Sequence, residues 1–454
     1  MNITVTNELS IPLSDVPANV RQQIIDDLTL DNPPYQTALR MGYSTYGIEP
    51  TIQLYRAEAG SLYMPRGYII RLRQLLDQSS TPYSVDDKRL WLPKVHMESS
   101  IELRPYQVPA VDALVRHQQG GVVAGCGSGK TICGLEAAVR TQQPILWLTH
   151  TEDLFRQVIE RAVAVLDIKE DEIGRLGGGK WKVGERLTIG MVQTLAKRDL
   201  PDITDKFGCI VIDEAHRVPS DTFWRVVNEF PAAYRLWLSA TPTRSDGLTD
   251  ALFYGAGHIV HEVPRDAVPT VTPALVVIKT DYNTTYDNFS TQISNLIQNK
   301  ARNQLIVDTI KQNAKGHFSL VLSDRLDHLK WLRSMLVNAI PDMTIEILHG
   351  KLNKRERVEL LERIRNKQVD IVLATQVARE GLDIPHLDRL YLVCPKKAEG
   401  ATEQEIGRIM RPCEGKNDAI VYDFLDIKNP RLQAQFNKRC AVYAKLKIRR
   451  MQTA

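Results

Sequence analysis

A glycine-rich segment in the first half of the chain has the residue types of a phosphate-binding loop. It reads AGCGSGKT over residues 124–131, and it follows an apolar stretch and opens an amphipathic one. Glycines let successive amides face a phosphate, and the start of a helix adds its positive dipole end. A glycine-rich turn without ligand is the alternative, which the flanking elements disfavour. The residues expected to contact a nucleotide are Gly125, Cys126, Gly127, Ser128, Gly129, Lys130 and Thr131.

Two adjacent carboxylates, Asp213 and Glu214, follow a second apolar stretch, at residues 209–212. At the carboxyl end of a strand, Asp213 could hold Mg²⁺ together with the Thr131 hydroxyl, and Lys130 could neutralise phosphate oxygens. Glu214 could act as the general base that polarises an attacking water. An exposed acidic turn is the alternative for this pair alone. The phosphate loop upstream in the same chain favours the catalytic interpretation.

Two arginines late in the chain, Arg408 and Arg411, are spaced for one face of a helix in the segment QEIGRIMR, residues 404–411. A guanidinium can neutralise the charge that develops on a transferred γ-phosphate. Taken alone, such a pair is more often a solvated or salt-bridged helix face. The order of the motifs along the chain, described below, reverses that preference.

The elements that must position these residues follow a repeated pattern. From Leu103 onward, apolar strand-length runs alternate with amphipathic helical segments, which indicates βαβ units and a parallel sheet. A second region with the same pattern follows, and its candidate strands are residues 320–322, 344–348, 371–374, 390–393 and 419–422. The sequence therefore predicts an α/β protein in which one fold is used twice.

The domain boundaries are predicted from changes in this pattern. Residues 1–98 hold short mixed runs with proline and glycine punctuation, which favour a small α+β accessory domain. We expect a first lobe over 99–268, a linker region over 269–300, and a second lobe over 301–454 that ends in a basic helical tail. Because the motor pattern is complete from Leu103, we expect it to fold without residues 1–98.

Composition limits the class of protein. The 454 residues exceed one hydrophobic core, and 43% hydrophobic with 25% charged residues is typical of globular proteins. The apolar runs are too short to span a membrane, and the first residues lack the pattern of a signal peptide, so we expect a cytoplasmic location. Six scattered cysteines without a CxxC pair disfavour a disulfide framework or a zinc site. A net charge of +4 is weak evidence for a nucleic-acid partner.

The motifs, in their order over residues 101–425, resemble those of helicase superfamily 2. Each is weak to moderate alone, and together they are specific. They are LRPYQ (103–107), AGCGSGKT (124–131), LTHT (148–151), MVQTL (191–195), DEAH (213–216), SAT (239–241), LSDR (322–325), AT through EGLD (374–383) and QEIGRIMR (404–411).

The resemblance implies two tandem RecA-like lobes that bind ATP and Mg²⁺ and hydrolyse ATP between them. It assigns adenine to Arg104 and Gln107, and nucleotide contacts from the second lobe to Gly381 and Asp383. Coupling between the nucleotide and the nucleic-acid track is assigned to His216, Ser239 and Thr241. The catalytic set is Lys130, Asp213, Glu214, Gln404, Arg408 and Arg411, with Arg411 as the principal arginine.

The resemblance also implies a nucleic-acid track along the other motifs. Side chains that could meet phosphate oxygens without reading sequence are Thr149, Gln193, Thr194 and Thr375. Within the superfamily, GGGKW (177–181) and HGK (349–351) resemble the XPB-like and phage UvsW-type branch. The segment LYMPRG (62–67) resembles the accessory domain of the UvsW-type enzymes, and it makes Arg66 a candidate DNA contact.

The UvsW-type enzymes act on branched DNA, so the resemblance implies a DNA helicase that unwinds or branch-migrates forks and junctions. Such work belongs to phage-type recombination, repair or replication, in a host cytoplasm if a phage encodes the chain. We expect a monomer with DNA as partner and no membrane partner. An RNA helicase, or a double-strand translocase without strand separation, is the enzyme alternative, because motor motifs contact both nucleic acids alike. A nucleotide-dependent clamp is disfavoured by the presence of Glu214 and Arg411.

Overall fold

The computed structural model describes residues 1–125, 127–215, 225–241, 247–286, 288–375, 384–395 and 399–451, apart from the side chains of residues 354 and 399–401. The chain forms two compact units, Met1–Val268 and Pro269–Ala454. The first unit contains the N-terminal domain and the first α/β lobe, and the second unit contains the second lobe. None of the helices within the described ranges is both long and apolar enough to cross a membrane.

The N-terminal domain is built on a mixed five-stranded sheet with the order β5-β6-β2-β1-β7. Strands β1 and β2 bury every second residue, and these side chains pack with apolar residues of α1 and α3. The bounds are β1 Asn2–Val5, β2 Glu8–Pro12, α1 Ala18–Asp27, β3 Thr29–Asp31, α2 Pro33–Met41, β4 Thr51–Gln53, β5 Arg56–Glu58, β6 Ser61–Pro65, α3 Ile69–Gln78 and β7 Ser84–Asp87.

The first lobe has an eight-stranded sheet with the order β11-β10-β12-β9-β13-β14-β8-β15, parallel except for β11. The middle strands β9, β13 and β14 are fully buried, as expected where helices cover both faces. The bounds are α4 Val108–His117, β8 Gln119–Val123, α5 Lys130–Arg140, β9 Ile145–Thr149, α6 Glu152–Val165, β10 Gly174–Gly177, β11 Lys180–Lys182, β12 Leu187–Met191, α7 Val192–Leu195, β13 Cys209–Ile212, β14 Tyr234–Ser239, α8 Thr249–Ala256 and β15 Ile259–Glu262.

The second lobe has a seven-stranded parallel sheet with the order β18-β19-β17-β20-β21-β16-β22. Two parallel α/β sheets in tandem confirm the predicted fold class. The bounds are β16 Ala274–Thr280, α9 Phe289–Leu296, α10 Lys300–Asn313, β17 Ser319–Leu322, α11 Leu326–Ala339, β18 Ile345–Leu348, α12 Lys354–Arg365, β19 Ile371–Ala374, β20 Arg389–Leu392, α13 Glu399–Ile409, β21 Ile420–Asp426, α14 Pro430–Lys445 and β22 Arg449–Arg450.

The prediction of a linker over residues 269–300 is wrong. Strand β16 lies inside the second sheet and pairs with β21 over seven consecutive residues, from Ala274 to Thr280. Asn288 caps the start of helix α9, because its side chain accepts hydrogen bonds from the amides of Ser290 and Thr291. A polar stretch separates β16 from α9 and interrupts the strand–helix alternation in the sequence. For this reason residues 269–300 resembled a linker.

The basic tail is more integrated than its charge suggests. In α14, Arg439 forms a buried ion pair with Asp423 of β21 at 2.7 Å, and Tyr443 donates a hydrogen bond to the same carboxylate. Strand β22 then pairs with β16 at the sheet edge. The tail is therefore a structural part of the second lobe, and part of its positive charge is neutralised within that lobe.

Candidate nucleotide and nucleic-acid sites

The functional motifs of the first lobe meet at the carboxyl edge of its sheet. Strands β12, β9, β13, β14 and β8 are neighbours in that order, and all are parallel. The motif residues that follow them must therefore lie along one edge. This edge carries the phosphate loop after β8, the acidic pair after β13 and Ser239 at the end of β14.

Two glycines of the phosphate loop have a left-handed backbone conformation. Gly127 and Gly129 have φ values of +83° and +79°, which favour glycine, and Gly129 immediately precedes α5. The Ser128 hydroxyl donates a hydrogen bond to the Gly125 carbonyl at 2.7 Å. The first amides of α5 have no acceptor within the helix, so they can bind an anion. Lys130 and Thr131, both partly exposed, begin this helix.

The LRPYQ segment is hydrogen-bonded to the phosphate loop at Ser128. Gln107 is 4% exposed, and its amide nitrogen donates a hydrogen bond to the Ser128 carbonyl at 2.8 Å. The Tyr106 hydroxyl donates to the same carbonyl at 3.3 Å. The Gln107 amide oxygen accepts from the backbone amide of Arg104, whose guanidinium donates to Tyr106. The two adenine candidates are thus part of a turn attached to the phosphate loop, and Tyr106 is a member that sequence analysis did not single out.

The acidic pair lies beside the loop lysine. The ammonium of Lys130 is 3.7 Å from a carboxylate oxygen of Glu214, and the Glu214 amide donates to the Asp213 carboxylate at 3.0 Å. Burial and the neighbouring Glu214 charge raise the pKa of Asp213 above its usual range, and Lys130 partly opposes this. Glu214 has a left-handed φ of +48°. A buried carboxylate that is costly to ionise alone, with a hydroxyl at Thr131, is an oxygen donor set that suits Mg²⁺.

Ser239 connects the third motif to the phosphate loop. The Ser239 hydroxyl donates to the carbonyl of Thr241 and accepts from the Thr241 amide at 3.2 Å. The Ser239 carbonyl accepts from the amide of Ala124, the first residue of the loop, at 3.0 Å. A displacement of the Thr241 backbone can therefore be transmitted to the phosphate loop through Ser239 alone. His216, the other coupling candidate, and Cys126 lie outside the described residues.

The nucleic-acid candidates of the first lobe differ in exposure. The prediction for Thr149 is wrong, because the side chain is fully buried and its hydroxyl donates to the Gly190 carbonyl. Gln193 is partly exposed, and its amide donates to the His150 carbonyl at 2.8 Å. Thr194 is also partly exposed. Gln193 thus joins two motifs at the sheet edge, and Thr194 stays a candidate contact.

The prediction that Arg66 contacts DNA is also wrong. Its side chain is 1% exposed and donates hydrogen bonds to the Gln119 side chain at 2.7 Å and the Ala232 carbonyl at 2.6 Å. Burial, with the nearby charge of Arg235, lowers the pKa of Arg66 well below its usual value. A Cβ added to the next residue, Gly67, would overlap carbonyl oxygens of α8. The Pro-Arg-Gly turn therefore docks the N-terminal domain on the first lobe.

In the second lobe, Gln404 and Arg408 lie on α13 and Arg411 lies just after it, and all three are partly buried. Thr375 is partly exposed after β19, and its amide donates to the Leu348 carbonyl at 3.2 Å. Gly381 and Asp383 lie outside the described residues. Sequence analysis missed Lys416, whose ammonium donates to the carbonyls of Pro385, Leu387 and Arg411. Lys416 fixes the backbone that carries Arg411.

One further cluster has the ligand types of a metal site. The atoms that His317, Asp388 and Asp418 could offer lie within 4.8 Å of one another. However, the Arg389 guanidinium already bonds to Asp418 at 2.9 Å and to the His317 ring at 2.8 Å. Because this cation already bonds two of the three candidate ligands, we interpret the cluster as an ion network at the amino end of β17 and β20.

Comparisons with known proteins agree with this arrangement. Residues 100–244 match the family "Type III restriction enzyme, res subunit", and residues 300–413 match "Helicase conserved C-terminal domain". The chain is 31% identical over 365 residues to a protein of Acanthamoeba polyphaga mimivirus provisionally named an ATP-dependent RNA helicase, covering 76% of this chain and 68% of that one. It is 26% identical over 346 residues to the DNA 3'-5' helicase XPB of Kineococcus radiotolerans, covering 72% of this chain and 60% of the relative.

A solved structure with the same fold is yeast (S. cerevisiae) Dbp5 bound to RNA and ADP BeF3, with 17% identity, a TM-score of 0.57, and coverage of 76% of this chain and 89% of that chain. Two α/β lobes, a phosphate loop and an adjacent acidic pair define an ATP-hydrolysing enzyme. With the family matches, the chain belongs to the superfamily 2 helicases and is an ATP-dependent helicase with XPB helicases among its relatives.

Proposed function

We propose that this helicase acts on DNA and unwinds or branch-migrates forked and junction DNA. The observation that carries the proposal is the docking of the N-terminal domain on the first lobe through buried Arg66 and Gly67. A domain held rigidly against the motor can place a fork at a constant distance from the sheet edge where the nucleic-acid motifs lie. The name of the XPB relative, a DNA helicase, supports the choice of DNA.

The hydrolytic step uses residues of the phosphate loop and the acidic pair. We assign Lys130 to charge neutralisation at the β- and γ-phosphates, and Glu214 to accepting a proton from the attacking water. Thr131 and Asp213 would hold Mg²⁺, which neutralises phosphate charge when bound. Gln107 and Tyr106 keep the loop in its binding conformation through Ser128. Arg411 is the proposed principal catalytic arginine of the second lobe, and Arg408 and Gln404 are its proposed catalytic partners.

The test is a comparison of substrates. ATP hydrolysis by the full chain would be measured with single-stranded DNA, blunt duplex, forked DNA, a four-way junction and single-stranded RNA, at one salt concentration. Unwinding of the fork and junction would be followed in parallel. Glu214→Gln is the matched control, because it should bind the same substrates without unwinding them. We expect the greatest stimulation by forked and junction DNA. Equal stimulation by linear and branched DNA would refute the branched preference.

An RNA helicase is the second candidate function, favoured by the name of the mimivirus relative. The same experiment separates the two. Stimulation by RNA that exceeds stimulation by every DNA substrate would replace the DNA proposal. An absence of stimulation by any nucleic acid, with ATP hydrolysis retained, would refute both.

A further inference from the structure

We infer that a hairpin on the first lobe is a binding surface for single-stranded nucleic acid, beyond the motifs already assigned. The surface, here called the basic–aromatic patch, consists of Lys180 and Trp181 on the hairpin β10–β11 and of Lys197 and Arg198 after α7. All four residues are exposed. The inference rests on the proposed function, because it adds a contact to the same nucleic-acid track.

The hairpin places Trp181 beside the motif in β12 and α7. Its turn, Gly178–Gly179, has φ values of +60° and +83° and follows β10 at the carboxyl edge of the sheet. Trp181 is directly opposite Leu176 in the antiparallel register, so both side chains lie on one face of the sheet. Leu176 is buried in the same cluster as Val192 and Leu195 of α7. The Trp181 ring therefore shares the face that carries α7.

An arginine covers part of this ring. The Arg198 guanidinium carbon is 4.2 Å from the Trp181 ring centroid, and the tryptophan is still 37% exposed. Such a pair can continue a stack in which an unpaired base lies against the ring and the guanidinium faces a phosphate. Lys182 of the same hairpin, by contrast, donates a hydrogen bond to the Asp171 carbonyl at 2.9 Å.

The cations of the patch take part in no ion pair within the described part of the chain. Across the described ranges of the chain, no carboxylate lies within ion-pairing distance of Lys180, Lys197 or Arg198. By contrast, Arg186 near the amino edge pairs with Asp167 and Glu172. Exposed cations beside an aromatic ring are complementary to a phosphate backbone with accessible bases. This combination favours a single strand over a duplex, whose bases are stacked on one another.

The position of the patch agrees with this occupant. Lys180 pairs in register with Gly177, the last residue of β10, and so lies at the carboxyl edge. Thr194 and Gln193 lie on α7, between β12 and the patch residues Lys197 and Arg198. A strand that contacts the motifs at this edge would thus meet the patch without a change of face.

The test measures binding of the full-length chain to a fluorescent single-stranded DNA oligonucleotide across a salt series. The charge variant is Lys180→Glu with Lys197→Glu, and its control is Lys206→Glu, an exposed lysine at the opposite edge of the same sheet. The aromatic variant is Trp181→Ala, and its control is Trp91→Ala, an exposed tryptophan 5.9 Å from the Arg89 guanidinium near the amino end of β14. Trp181→Phe tests rescue by another ring.

We expect the charge variant to lower the salt-dependence slope of single-strand binding by about 1.4, from about 0.7 for each phosphate contact. Trp181→Ala should weaken single-strand binding by about tenfold or more, with little change for a blunt duplex, because stacking needs an unpaired base. Trp181→Phe should recover most of the affinity, and both controls should bind as the unaltered chain does.

Unchanged binding in either patch variant would overturn the inference. It would also be overturned if Trp181→Ala and Trp181→Phe lost affinity equally and both melted at a lower temperature, which is the behaviour of a purely structural residue. Failure of the proposed function is a separate result, since it is read from ATP hydrolysis by the unaltered chain, which would then be stimulated equally by linear and branched DNA, more strongly by RNA, or by no nucleic acid.

Discussion

The Lys130 ammonium and a Glu214 carboxylate oxygen lie 3.7 Å apart, but substitution of each residue should affect ATP binding and hydrolysis differently. Lys130→Ala removes the charge that we propose to neutralise the phosphates, so ATP binding should weaken and turnover should be lost. Glu214→Gln keeps the shape but removes the base, so ATP should still bind while hydrolysis falls by about 10²-fold or more. Equilibrium binding of a fluorescent ATP analogue and phosphate release would be measured for both. Equal loss of binding in the two variants would contradict the assigned roles.

His328 carries a prediction about pH, because it is fully buried in the second lobe and burial lowers its pKa to about 3. Its ring contacts the Ser323 hydroxyl at 3.0 Å and the Asn303 side chain at 3.1 Å. The unfolded chain binds the proton more readily, since an unfolded histidine has a pKa of about 6.5. The neutral ring therefore contributes stability above pH 6.5, and this contribution is lost as the pH falls.

The expected loss for the native chain is about 2 kcal/mol of unfolding free energy between pH 7.5 and pH 5, relative to His328→Gln. Denaturant unfolding of both proteins at the two pH values would measure it. The comparison removes the contribution of His386, whose pKa burial lowers to about 4 and which is present in both. If the unfolding free energies of the two proteins changed in parallel with pH, His328 would be protonated as easily in the folded chain as in the unfolded chain, which would contradict the prediction.

At the residue scale, sequence analysis brought together residues whose type is restricted by chemistry, and it was wrong where burial excludes the assigned contact. Lys130 and Asp213 were proposed because few residue types can serve beside a phosphate and a metal, and both lie at the carboxyl edge of the first sheet. Arg66 and Thr149 have polar side chains suited to a phosphate, but both are buried and bonded to backbone carbonyls. Nothing in the local sequence distinguishes a buried arginine from an exposed one.

At the scale of elements, the phosphate loop and the LRPYQ turn behave as one unit. Gly129 has a φ of +79°, and an added Cβ would lie 2.5 Å from the Gln107 amide nitrogen. Gly129→Ala should therefore cost about 1 kcal/mol of backbone strain and also displace Gln107 from Ser128. We expect a higher KM for ATP together with lower stability.

Gly316→Ala is the matched control for this prediction. Gly316 has the same φ of +79°, but no atom lies within 4 Å of the added Cβ. Both variants should lose stability through strain, and only Gly129→Ala should lose ATP affinity. Steady-state ATP hydrolysis and thermal unfolding would be measured for both. An unchanged KM in Gly129→Ala would show that the contact between Gln107 and the loop does not shape the nucleotide site.

The elements themselves were predictable to differing degrees. Strand β13, CIVI, is apolar throughout and fully buried, which is the pattern of a central parallel strand. Strand β16 was missed for two reasons. Its residues alternate in burial, and a polar loop separates it from α9. Its position in the sheet depends on long-range pairing with β21, which no local pattern encodes.

At the scale of the whole molecule, the N-terminal domain is part of the first unit instead of a removable addition. Arg235 of β14 donates to the Asn7 carbonyl, and the Asn7 side chain donates to the Asn228 carbonyl at 2.6 Å. Tyr68 packs edge-on against Tyr254 of α8. These contacts argue against the expectation that the motor folds without residues 1–98, because removal of these residues would expose the surface that they cover.

Arg66 provides the most direct test of this conclusion. Arg66→Met keeps an apolar stem of similar length but leaves the Ala232 carbonyl and the Gln119 side chain without their donor. Loss of a buried hydrogen-bond partner costs about 1–3 kcal/mol for each group, so the first unit should melt at a lower temperature. Arg73→Met on α3 is the control, because Arg73 is exposed. The measurement is thermal unfolding of both variants, with ATP hydrolysis and junction unwinding compared below the transition.

Since Arg66 is buried, we expect Arg66→Met to retain the salt dependence of DNA binding. If Arg66 contacted a phosphate, the slope of that salt dependence would fall by about one unit. A stable Arg66→Met chain with a reduced slope would restore Arg66 as a DNA contact and contradict the docking role.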